Sequence, residues 1–162
     1  MRGERRGAVQ PADRPREPRP KGRTSADLPA ESSIPVRSDA DIVFARQKGR
    51  ELAAALGFAA TDLTLIATAI SELARNIVLY AKRGRIVLKG VERGSRRGIM
   101  VVARDDGPGI PNVAQALQSG FSTSGGLGLG LPGVKRLTDE FDIESAAGRG
   151  TTGSPGWTCG AC

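Results

Sequence analysis

The sequence predicts an α/β (α+β) domain organised around one amphipathic helix. Three observations predict it. Ile66, Ile70, Leu73 and Ile77 recur at helical spacing between positions 61 and 81 and make one apolar stripe. The segments 85–91 and 98–105 alternate side chains with the period of a half-buried strand. Between positions 33 and 145 the elements run strand, helix, helix, strand, strand, glycine-rich loop, helix, strand, with turn residues between them.

The chain has 162 residues, enough for one domain of ordinary size with a tail left over. Net charge is +7, with much of the excess near the N-terminus. There is no histidine. That excludes a Ser-His-Asp triad, a histidine metal ligand and a phosphohistidine made on this chain, so a general base must be a carboxylate or something rarer. The sequence shows no apolar run as long as a membrane span and no apolar signal core at its N-terminus, and a cytoplasmic protein is expected. Cys159 and Cys162 form a lone C-x-x-C; without a second pair or a histidine it argues for a tail rather than a zinc site.

Residues 1–32 are rich in arginine and proline and poor in apolar side chains, so they cannot bury enough surface to offset their ordering entropy. They read as a disordered basic extension. Without aromatics to stack on bases, and with acidic residues interrupting it, a solvated extension is favoured over a nucleic-acid arm. The segment 33–37 is a strand that Pro35 confines to an edge or a strand terminus. Ser38 and Asp41 resemble a helix cap. The helix that follows runs to about residue 56, points Ile42, Val43, Ala45, Leu52 and Ala55 inward and stops at Gly57. Thr61 and Asp62 open the second helix, and Gly84 ends it. Lys82, Arg83 and Arg85 read as a solvated turn. The sequence ERGSRRG is a hairpin connection, 111–118 a short helix, and 139–145 a strand.

Three motifs carry chemistry. Glu72 and Asn76 are four residues apart and share a helix face. The carboxylate can take a proton from an attacking hydroxyl; the carboxamide oxygen suits Mg²⁺, which keeps waters and substrate phosphates around it. A plain solvated helix face is the alternative. In DDGPGI, Asp105 ends a strand and can accept a hydrogen bond from an exocyclic amine, while Gly107 and Gly109 let a planar ring approach the backbone. A tight turn explains the same residues. In the stretch from Ser124 through Gly125, Gly126, Leu127, Gly128 and Leu129 to Gly130, glycine amides run into a helix that carries Val134 and Leu137, as in a phosphate cradle. A flexible structural loop is the alternative. The spacing fits neither a Rossmann fingerprint nor a P-loop.

Taken together, SELARNIVLYA, DDGPGI, GGLGLGL and DEFDIESAAGRGT, in this order, resemble the GHKL (Bergerat-fold) ATP-binding domains, and within them the RsbT-like switch serine/threonine kinases of the anti-sigma-factor pathway. The resemblance implies a two-layer sandwich with a mixed or antiparallel sheet covered on one face by about three helices, over residues 33–152. It implies ATP and Mg²⁺. Glu72 matches the acidic residue that activates the attacking hydroxyl, Asn76 the Mg²⁺ ligand, Asp105 the adenine-reading carboxylate, and Gly107 and Gly109 the adenine wall. Ser124 to Gly130 match the lid and phosphate loop, and Thr151 the threonine at the adenine edge. Arg75, beside the pair, touches phosphate or a partner, or is an exposed structural arginine. The implied substrate is a serine on a STAS-domain antagonist protein, and a PP2C-type phosphatase or a sigma factor is a second partner. Nucleic acid and membrane are not expected.

The chain departs from this pattern after Thr152, where GSPGWTCGAC stands in place of a β-branched strand. Gly153, Pro155 and Gly156 argue against a central strand, so residues 153–162 read as an atypical tail, with a less stable sheet and a pocket weakened near Thr151. Two other functions share the motifs: an anti-sigma factor that sequesters a sigma factor, and a catalytically inactive nucleotide-dependent binding module.

Overall fold

The two alternating segments pair as a hairpin, and the sheet grows from it. The computed structural model describes residues 28–118 and 129–160. In chain order the elements are β1 (Ser32–Val36), α1 (Asp39–Ala55), α2 (Ala60–Asn76) with a π-helical turn (Ile77–Ala81) continuing it, β2 (Gly84–Arg93), β3 (Arg96–Asp105), α3 (Val113–Ala116), α4 (Gly130–Leu137), β4 (Glu140–Ser145) and β5 (Thr151–Thr158). The sheet has the order β1-β2-β3-β5-β4, and every neighbouring pair is antiparallel. Gly94, with φ +62°, takes the first of the two loop positions between β2 and β3, where a type II′ turn reserves positive φ for glycine.

The helices cover one face. Ile86 and Leu88 of β2 and Ile99, Val101 and Ala103 of β3 point into a core shared with Ile66, Ile70, Leu73 and Ile77 of the long helix and Val134 of α4. Each fully buried isoleucine or leucine there contributes about 1.5–3 kcal/mol relative to exposure. The apolar stripe is thus the inner face of a core helix. By length and composition alone Ala60–Ala81 is apolar enough to cross a membrane, which the broken apolar runs of the sequence did not suggest; in the fold its stripe lies against the sheet.

Several local expectations hold and several shift. The Asp41 carboxylate accepts from the Ser38 amide at 3.0 Å and the Arg37 amide at 2.9 Å, closing the cap of α1. Gly57 leaves α1 with φ +90°. Val43 and Ala55 lie outside, whereas Gly49 and Ala53 are buried, because α1 rolls so that Gly49 meets Ile70 without a Cβ between them. Ala60 opens α2, one residue ahead of Thr61. The long helix ends at Lys82, in the left-handed region with φ +67°; Gly84 instead begins β2, where a Cβ would press on the Arg104 carbonyl. Leu28 packs against the core ahead of β1, so order begins before position 33. Residues 1–27 of the extension lie outside the described residues.

The segment after Thr152 overturns the expectation of a missing strand. It forms β5, between β3 and β4, as far as Thr158. The pattern is period-2 in unusual residues: Gly153, Pro155, Trp157 and Cys159 face the core and are buried. Pro155 costs two residue pairs rather than the strand. The β3 ladder pairs Met100 with Gly156 and Ala103 with Gly153, skips Ser154 and Pro155, and keeps its register. On the other side β4 pairs through the gap, Phe141 opposite Pro155. Trp157 supplies the burial that glycine and proline do not, and its Nε1–H donates to the Leu137 carbonyl at 2.6 Å, tying β5 to the end of α4. On the outer face the edge strand β4 carries Glu140, Asp142 and Glu144, while Pro35 faces outward on the opposite edge, β1.

Trp157→Ala is expected to lower stability by about 3–5 kcal/mol, read as a fall in urea midpoint. Gly156→Thr is expected to raise it by about 0.5–1 kcal/mol, since strand glycine costs entropy and a Cβ there meets nothing closer than 3.8 Å.

Candidate functional site

A cavity of about 520 Å³ opens between the last turns of the long helix, the end of the sheet and the start of α4. Its size is that of a small-molecule pocket. Leu73, Ile77, Ala103, Ile110, Leu131 and Ile143 make its apolar walls. The polar groups gather at two ends.

At one end, Asp105 finishes β3 directly opposite Thr151, the first residue of β5, and both line the cavity. The Gly107 amide donates to Asp105 Oδ1 at 2.9 Å, fixing the carboxylate against the loop that follows. That loop is held from two sides, and its glycines show why. A Cβ on Gly107 would lie 2.6 Å from the Ala81 Cβ of the π-helical turn. Gly109, with φ +73°, would drive a Cβ into the Ala146 carbonyl, and Gly150, with φ +75°, into the Asp105 carbonyl. The glycines are therefore required by protein packing on protein. Gly109 also lines the cavity, and Gly107 does not.

At the other end, Asn76 lies on the wall, at the last position of α2, and Gly130 faces it from the start of α4. Glu72, one turn before Asn76, is only 9% exposed and sits behind Gly130 rather than on the wall. The Gly130 amide donates to Glu72 Oε2 at 3.3 Å, and the half-exposed Arg75 guanidinium stands 3.8 Å from Glu72 Oε1. The helix spacing thus delivers the carboxylate and the carboxamide to one side of the pocket, and Arg75 meets Glu72. Leu129 precedes α4, exposed and off the wall. Ser124, Gly125, Gly126, Leu127 and Gly128 lie outside the described residues.

Sequence reasoning missed four residues. Tyr80 reaches the cavity because the π-helical turn adds a residue to the helix; Asn112 and Gln115 reach it from α3, where Asn112 Oδ1 caps the Gln115 amide at 2.9 Å. Ser145, behind Thr151, binds three backbone segments together. No signal in the sequence marks the first three; the register of DEFDIES and GTT points to the fourth once both are strands. Among the described residues no group of three His, Cys, Asp or Glu side chains can hold a metal ion.

Residues 61–154 match the family of histidine kinase-, DNA gyrase B- and HSP90-like ATPases, and the chain belongs to this family, the GHKL ATPases. Within it the chain is a protein serine/threonine kinase of the RsbT-like type. It is 53% identical over 121 residues to the serine/threonine-protein kinase RsbT of Bacillus subtilis, across 75% of this chain and 91% of that one. It is 32% identical over 114 residues to an anti-sigma F factor of a Thermoanaerobacter species, across 67% of this chain and 78% of the relative. The solved structure of the RsbU and RsbW domains of a Mycobacterium tuberculosis protein matches 80% of this chain with a TM-score of 0.55 at 22% identity; the chain spans 32% of that longer protein, and the likeness is one of fold.

Two glycines with the same φ separate strain from contact. Gly148 has φ +73° and open space around it, so Gly148→Ala should cost about 1 kcal/mol and leave ATP affinity within twofold by calorimetry. Gly109→Ala adds a clash with the Ala146 carbonyl; it should cost about 3 kcal/mol in total and, because Gly109 lines the cavity, also weaken ATP binding by calorimetry.

Proposed function

We propose that this chain transfers the γ-phosphate of ATP to a serine of a STAS-domain antagonist protein in a bacterial partner-switching pathway, and that it activates a PP2C-type phosphatase by binding it. The observation that carries the reading is the division of the cavity: Asp105 and Thr151 in register at one end, Asn76 at the other with Glu72 one helical turn behind it. In a chain without histidine, Glu72 is the carboxylate placed to orient and deprotonate the attacking serine hydroxyl. Burial restricts the carboxylate's rotamers, and the Gly130 amide and Arg75 hold it near the pocket. Asp105 accepts a hydrogen bond from the adenine amine, while the apolar walls take the ring. The Asn76 carboxamide oxygen would hold Mg²⁺ against the phosphates, and that ion, when bound, neutralises charge on the phosphate oxygens. Ser124 to Gly128 are assigned to the lid over the phosphates, with Gly130 at its inner end. The work of the chain in the transfer is positioning more than covalent chemistry. Both partners are soluble proteins in this reading, and the site of action is the cytoplasm.

The likeness to anti-sigma F factors supports a second reading, in which the same nucleotide-bound face sequesters a sigma factor. Transfer of labelled γ-phosphate from Mg-ATP to the STAS-domain protein encoded nearest this gene separates the two. Wild type is expected to label it, and Glu72→Gln to label it at least about 100-fold more slowly with ATP still bound. ATP binding without transfer would favour sequestration.

A further inference from the structure

Ser145 closes β4 opposite Thr151 of β5. Its Oγ lies 2.8 Å from the Gly150 carbonyl oxygen, 2.8 Å from the Ile110 amide nitrogen and 2.9 Å from Thr151 Oγ1. A hydroxyl has one hydrogen and two lone pairs, which settles who donates. A carbonyl only accepts, so the Ser145 hydrogen goes to Gly150. An amide N–H only donates, so Ile110 takes one lone pair. The remaining partner, Thr151, must fill the second lone pair with its own hydrogen. Thr151 lines the cavity and Ser145 does not. The hydrogen of Thr151 is therefore turned away from the cavity, and only lone pairs face it. Its register partner Asp105 is a carboxylate whose Oδ1 already takes the Gly107 amide. The base end of the cavity thus offers acceptors from two adjacent strands.

We infer that Ser145 is a specificity-determining residue: by claiming the Thr151 hydrogen it leaves Asp105 and Thr151 as acceptors only, favouring the exocyclic amine of adenine over the carbonyl of a 6-oxo purine. The inference rests on the ATP reading of the site. An amine brings hydrogens to both acceptors. A 6-oxo purine brings a carbonyl oxygen, against which neither Asp105 nor Thr151 has a hydrogen to give, and it keeps only its N1 hydrogen to offer them, one where the amine has two. Without the Ser145 hydroxyl, the Thr151 hydroxyl can rotate and donate to that oxygen. Ser145 acts through Thr151, and the same three bonds anchor the loop at Ile110 to the β4–β5 turn.

The test is calorimetric binding of Mg-ATP and Mg-ITP, which differ at the purine 6-position and its coupled N1 proton, to the full chain. Wild type should prefer ATP. Ser145→Ala should reduce the ATP-to-ITP affinity ratio about tenfold, the worth of one hydrogen bond gained by ITP, while Ser145→Thr, which keeps the hydroxyl, retains the wild-type ratio. Losses of both affinities in Ser145→Ala with the ratio held within twofold would mean a structural role and overturn the inference. Thr151→Val supplies an arm that leaves Ser145 in place and serves if Ser145→Ala does not fold. It should weaken ATP more than ITP, because wild-type Thr151 gives ITP no hydrogen and can at most accept the one on N1; equal losses would overturn the inference. Wild type that binds neither nucleotide would overturn the ATP reading itself, and the inference with it.

Discussion

The pairing of β3 with β5 is the constraint on which the rest depends. It inserts the last strand of the chain between two that precede it, and in doing so sets Asp105 against Thr151 across a single rung. The same pairing brings Trp157 over the core and onto the end of α4. It also gives β4 its neighbour, and with it the place of Ser145. Without β5, β4 would have no neighbour in the sheet, and the acceptor pair at the base end of the cavity would not exist. The strand survives a proline because an antiparallel ladder loses rungs one at a time, and because tryptophan supplies a large buried surface in one residue.

The long helix shows the complementary economy. One run of residues carries two faces, and periodicity alone separates them: Ile66, Ile70, Leu73 and Ile77 enter the core, while Asn76 turns to the pocket with Glu72 behind Gly130 at its side. Burial on the first face fixes the rotation of the helix, and that rotation aims the second. The step from α-helix to π-helical turn after Asn76 then swings Tyr80 to the cavity and brings Ala81 against Gly107, so the end of the helix also positions the loop beyond Asp105.

Much of this is legible in the sequence, for physical reasons that also explain what is not. Elements whose burial follows a period in apolar residues can be read: the helix stripe, and the alternation of β2 and β3. The polar residues at 72, 76 and 105 can be placed because helix and strand geometry fixes them relative to that period, whereas Thr151 is reached through the family resemblance alone. β5 escapes because its inward positions are Gly153, Pro155 and Trp157, whose types vote for a turn even though their spacing votes for a strand. A packing demand on Gly109 is not legible in the sequence because a glycine requirement does not name its neighbour; here it is the Ala146 carbonyl, nearly forty residues away. Ser145 emerges only once the register of β4 on β5 is known, because its partners come from chain segments whose meeting is a matter of tertiary structure.

The two ends of the sheet carry a consequence for how this molecule meets others. β4 is lined along its outer face by Glu140, Asp142 and Glu144, and β1 bears Pro35. Charge and proline are the devices by which native edges refuse a foreign strand. A chain that must take hold of one protein and release it for another is poorly served by main-chain zippering, which is sticky and indifferent to side chains. With both borders guarded, recognition is left to side-chain surfaces, where contacts can be specific and still let go.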